Sequence, residues 1–139
     1  MKYVLALIIV ILAIGFAVSL RAADDTKITP ESLEEMFANI KANTPWDTTK
    51  PLLWGYFFTD HDPKKFERLK EALVAQGYRY VEVLEPEATD VEKIYILHVE
   101  RVEQHTPQTL HARNQEFYKL ARKFGVETYD GMDVGAAAQ

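Results

Sequence analysis

An α+β domain with the element order β-α-β-β-α-β is what the sequence predicts. Three observations carry that reading. Residues 52–59 (LLWGYFFT), 78–84 (YRYVEVL) and 93–102 (KIYILHVERV) are apolar, β-branched or aromatic runs of strand length. Between and after them lie segments with apolar residues at helical spacing. Those helical segments open at Asp-Pro or Thr-Pro and close at Gly, the usual start and stop chemistry.

The elements follow in order. Residues 3–20 form an 18-residue stretch without charge, almost all Ala, Val, Ile or Leu. As a helix it would be about 27 Å long at ~1.5 Å per residue, close to the ~30 Å hydrocarbon core of a bilayer. A soluble core helix would carry a polar stripe, and this one has none. Residues 1–21 therefore read as a single-pass transmembrane anchor, placed in the inner membrane. A cleaved signal peptide exporting the domain to the periplasm is the alternative. Against cleavage, Leu20-Arg21-Ala22 is a poor small-x-small site. Lys2 precedes the stretch while Arg21 and Lys27 follow it, so the orientation stays open.

Residues 22–51 read as a linker and an amphipathic helix. Thr29 is the expected N-cap and Pro30 the first helical residue. Leu33, Met36, Phe37 and Ile40 repeat on one side, and the prolines at 45 and 51 end the helix. The first strand comes next. In it Trp54, Tyr56 and Phe58 share one side at period two. Asp62 and Pro63 then start a helix with Phe66, Leu69, Leu73 and Val74 as its apolar face. Gly77 stops it. The second strand, an acidic turn over residues 85–92 and the third strand follow. Thr106-Pro107 opens the longest helix, with Leu110, Asn114, Phe117, Leu120, Ala121 and Phe124 on one side. Gly125 closes it, and residues 126–129 add a short fourth strand. Residues 52–135 thus read as one ferredoxin-like, split-βαβ domain with an antiparallel sheet and both helices on one face. Residues 136–139 read as a frayed tail.

Composition narrows the function. There is no Cys, which excludes disulfides, thiolate catalysis and Cys-ligated metals. Residues 22–139 carry 14 basic and 21 acidic residues, a net charge of −7. That sign argues against direct nucleic-acid binding, which needs a basic footprint. It suits a basic protein partner, although a solvated acidic exterior is the simpler account. Ser19 and Ser32 are the only serines, and neither sits at a nucleophile turn. His105 and His111 lack the i, i+4 spacing of a helical zinc site. His98 and Glu100 alternate onto one strand face and are the best pair for a metal or hydrolytic site; ordinary strand polarity explains them as well. Asp60-His61-Asp62 reads as turn and cap chemistry. No cofactor and no metal are expected.

Residues 120–131 (LARKFGVETYDG), the strand–Asp–Pro–helix element over residues 54–73, and Gly77-Tyr78 together resemble the RraB-like family of ribonuclease E inhibitors. The resemblance covers residues 52–135. It implies a ferredoxin-like fold and a non-catalytic protein that binds ribonuclease E and lowers its activity. It also makes Tyr129, Asp130, Gly131 and Asp133 the candidate partner-binding residues, with an Asp-Gly turn as their structural alternative. Three departures stand out: Met132 occupies the position where the family usually has Trp, Ala136-Ala137-Ala138-Gln139 replaces an acidic tail, and the apolar segment reads as a membrane span whereas the known inhibitor is a soluble cytoplasmic protein. Ribonuclease E is accessible as a partner if the domain is cytoplasmic. A membrane-anchored or periplasmic envelope module is the alternative.

Overall fold

The structure, a computed structural model, describes residues 28–137. The apolar stretch at residues 3–20 lies outside them, as do the last two residues of the tail. Among the described residues no helix is long and apolar enough to cross a membrane.

Among the described residues three α-helices and four strands follow in the order α1 (Pro30–Asn43), β1 (Leu52–Asp60), α2 (Phe66–Ala75), β2 (Arg79–Leu84), β3 (Tyr95–Glu103), α3 (Pro107–Lys123) and β4 (Thr128–Gly135). The strands form one four-stranded antiparallel sheet in the order β2-β3-β1-β4. β3 therefore lies between β1 and β2, which splits the first βαβ unit as the element order predicted.

The start and stop chemistry is largely local and matches the sequence. Thr29 caps α1: its Oγ1 accepts from the Ser32 amide at 3.1 Å. Asp62 Oδ1 accepts from the Lys64 amide at 3.0 Å. A single 3-10 turn, Pro63–Lys65, then leads into α2. Both predicted glycine stops take positive φ, +100° at Gly77 and +71° at Gly125. Each closes a Schellman motif. Tyr78 N bonds Leu73 O and Gly77 N bonds Val74 O after α2; Val126 N bonds Ala121 O and Gly125 N bonds Arg122 O after α3.

The chain packs as two compact units, one from the described parts of Met1–Trp54, Val102–Asn114 and Asp133–Gln139, the other from Gly55–Arg101 and Gln115–Met132. In the first, Leu33, Met36 and Ile40 of α1 are buried, together with Leu52 and Leu110. Phe37 stacks on Trp54 with ring centroids 5.9 Å apart, and Trp54 meets the His105 ring edge-on at 5.3 Å. In the second, Phe117 lies among Tyr56, Phe58, Tyr78 and Tyr129 at centroid distances of 5.0 to 5.5 Å. Phe66, Leu69, Leu73, Leu97 and Val99 complete that core. The β1 aromatics on one side, Trp54, Tyr56 and Phe58, are thus packing residues.

Two local expectations are corrected. Val74 is exposed, because it lies round the helix from the buried Phe66, Leu69 and Leu73. The fourth strand is not a short run ending in a turn at Tyr129-Asp130-Gly131. It continues to Gly135 with Met132, Asp133 and Val134 buried. Gly131 does take positive φ, at +125°, but it does so within the strand. Local Asp-Gly chemistry favours a turn; burial of the residues beyond it keeps the chain extended, and a strand glycine marks a local irregularity instead.

Candidate functional site

Strand alternation divides the sheet into two sets of side chains. Tyr56 and Phe58 point to the side of Phe117. Phe57 points the other way and stacks on His98, with centroids 4.4 Å apart and 24° between ring planes. The β2–β3 register adds the rest of that second face, since directly paired residues share a side. Arg79 pairs with Glu100, Glu82 with His98, and Leu84 with Ile96. From one end to the other the face therefore carries an ion pair, a ring stack flanked by an acid, and an apolar pair.

The polar groups of this face are partly desolvated. Glu100 is buried and its carboxylate pairs with the exposed Arg79 guanidinium. Burial, and secondarily the charge of Arg79, push the His98 imidazole from its ordinary 6.5 down to about 4. The ring is therefore neutral at physiological pH and acts as a stacking surface. Asp130 follows Tyr129 along β4, so alternation places it on this same side. Its residue is exposed, yet neighbouring protein crowds the carboxyl enough that desolvation raises its pKa.

His61, at the end of β1, is set differently. Its Nδ1 is 2.9 Å from Glu127 Oε1, and its Nε2 is 3.8 Å from Glu92 Oε1. The hydrogen bond to Glu127 is the main reason its pKa is raised, followed by the charges of Glu127, Glu92 and Asp60. The two histidines thus bend stability in opposite directions with pH. His98 takes up its proton less readily folded than unfolded, so its contribution is complete above pH 6.5 and fades as pH falls toward about 4. The contribution of His61 is complete below its unfolded pKa and fades as pH rises through the raised folded value. Proton titration followed by NMR should place His98 near pH 4 and His61 above 6.5. Arg79→Gln should move His98 upward, and Glu127→Gln should move His61 downward. A His98 midpoint at its ordinary value would contradict the buried stack.

The residues singled out as partner contacts fare unequally. The Tyr129 ring packs on Phe58, Phe117 and Tyr118. Gly131 and Asp133 are buried too. Asp130 alone is exposed. His98 and Glu100 do share a face, as their alternation requires, but each is engaged elsewhere: one in the ring stack, the other with Arg79. Asp60 Oδ1 accepts from the Asp62 amide at 2.8 Å and its Oδ2 from the Glu127 amide at 2.9 Å, which is turn and loop chemistry. Among the described residues no group of three His, Asp or Glu side chains is arranged to hold a metal.

One arrangement superficially resembles a hydrolytic triad. His105 Nδ1 is 2.9 Å from Thr109 Oγ1, and its Nε2 is 3.2 Å from Glu103 Oε2. The Thr109 hydroxyl, however, accepts from the Thr106 amide at 2.9 Å, while Thr106 Oγ1 accepts from the Thr109 amide at 3.1 Å. That reciprocal pair caps α3. Glu103 also binds Arg113 at 2.6 Å. The hydroxyl is a capping group, and the carboxylate serves an ion pair.

Sequence reading did not single out Phe57, Arg79 or the apolar residues of the β2–β3 hairpin. Phe57 was hidden in a run of aromatics whose other members are core. The one available signal was its odd position in the period-two pattern.

A family model described as regulator of ribonuclease activity B, RraB, matches residues 31–134. The match takes in α1 as well as the region from β1 onward. No curated protein matches the chain.

Proposed function

The chain belongs to the RraB family, and from that premise we propose that it is a non-catalytic regulator that binds ribonuclease E and lowers its activity. The match over residues 31–134 is the observation that carries this reading. The site geometry supports it. Three of the four histidines, His98, His61 and His105, are engaged in a ring stack, in surface pairing with acids and in a capped helix start, none of which positions a nucleophile. The net charge of −7 over residues 22–139 favours a protein partner over nucleic acid.

The second reading is an envelope module, and the uncharged residues 3–20 favour it. In that reading the stretch anchors the chain in the inner membrane or directs it to the periplasm, away from ribonuclease E. Binding tests the first reading. The purified full chain, held on a surface, should retain purified ribonuclease E saturably, and retention should weaken as salt rises. Absence of saturable retention at low salt would overturn it. A fusion at Gln139 tests the second: alkaline phosphatase activity there would support export, and fluorescence of a cytoplasm-only reporter would refute it.

A further inference from the structure

The turn end of the β2–β3 hairpin exposes three aliphatic residues. Val91 is 98% exposed, Leu84 40% and Ile94 36%. Single exposed aliphatic residues are ordinary. Here three fall at the turn end of one hairpin, and Leu84, the register partner of Ile96, adjoins the face that carries Phe57 and His98.

The connecting loop is held in shape by its own contacts. Lys93 Nζ donates to Glu87 O at 3.1 Å and to Ala88 O at 3.0 Å. Asp90 Oδ2 accepts from the Glu87 amide at 2.8 Å, and Asp90 N bonds Glu87 O at 3.0 Å. The only lysine of the loop is thereby folded back onto loop carbonyls. Glu85, Glu87, Asp90 and Glu92 are interleaved with the apolar residues along the chain, and Glu82 lies two residues before Leu84 on β2; all are exposed. A loop already held in its binding shape loses less freedom on association.

We infer that this hairpin, with the adjoining Phe57–His98 face, docks a basic segment of the ribonuclease that also presents apolar side chains. The inference rests on the regulatory reading above. Charge selects the occupant. A second copy of the chain would set like charges against one another, and an anionic lipid surface would repel the carboxylates. A cationic segment meets attraction at the rim and apolar contact at the centre, the usual layout of an interface.

Binding of full-length protein to purified ribonuclease E tests this, with sedimentation of the free protein in parallel. Leu84→Ser with Val91→Ser should weaken binding on the order of tenfold or more, as loss of central apolar contacts does. Glu85→Lys with Glu87→Lys should weaken it comparably and reduce its salt dependence. Melting should be little changed in the serine pair, because both side chains are solvent-exposed. Wild-type binding with both pairs equally tight would overturn the hairpin as the docking surface and leave the regulatory reading standing. No binding by the wild type would overturn both. Conversion of a wild-type dimer to a monomer by the serine pair would assign the patch to a second copy and overturn the basic-segment proposal.

Discussion

Phe117→Ala is expected to lower stability by about 3–5 kcal/mol, the range for truncating a buried aromatic side chain. Phe117 is 1% exposed and meets four aromatic rings, Tyr56, Phe58, Tyr78 and Tyr129. Removing its ring takes away apolar burial and leaves a cavity bounded by rigid neighbours that fill space poorly. Edge-to-face pairs add about 0.5–1.5 kcal/mol beyond area. Against a typical total of about 5–15 kcal/mol, that loss is a large fraction of the stability. Urea denaturation of wild type and variant measures the difference. A loss under about 1 kcal/mol would mean that the cluster collapses around the gap, contrary to the packing described. Phe117→Leu should recover much of the loss, since it restores most of the volume.

Asp60→Ala has the second-largest expected effect, about 2–3 kcal/mol. The Asp60 side chain is 0% exposed and lies 3.9 Å from Lys65 Nζ. Its carboxylate accepts from two backbone amides, those of Asp62 and Glu127. Hydrogen bonds to a charged group contribute about 1.5–3 kcal/mol. Because both amides are only partly buried, water recovers a share of that after truncation. Asp60→Asn should not rescue fully: an amide turns one N–H toward an amide that itself needs an acceptor. Thermal melts of the two variants check this. Equal stability of wild type and Asp60→Ala would show that these bonds contribute nothing net.

Asp60 also illustrates what a sequence can show. Asp60-His61-Asp62-Pro63 was legible as a strand end and helix start, because capping is chemistry between near neighbours. Thr29-Pro30, Gly77 and Gly125 were legible for the same reason. The reach of Asp60 to Glu127 was not legible, since it joins positions 67 residues apart. The β4 boundary failed on the same ground. Asp130-Gly131 carries a strong local turn signal, and strand pairing with burial overrode it. Tyr129 was read as a partner contact from a resemblance that marks a recurring position without saying which way its side chain points. Its ring lies among Phe58, Phe117 and Tyr118. Residues 85–92, between the two strands, read as an acidic turn because Val91 is interleaved with charge. The register of Leu84 with Ile96 shows that Leu84 continues a sheet face.

Fold and regulatory role connect through that division of the sheet. Phe117 and its ring neighbours hold one side closed. The other side presents Phe57, a neutral His98 and a hairpin whose charge and apolar residues suit a protein surface. The central claim is that the chain regulates ribonuclease E without chemistry of its own. The direct measurement is the initial rate of RNA cleavage by purified ribonuclease E as the full chain is added. The account predicts a saturable fall in rate, no cleavage by the chain alone, and no retention of the RNA by the chain. An unchanged rate at saturating concentrations, or cleavage of the RNA by the chain itself, would contradict it.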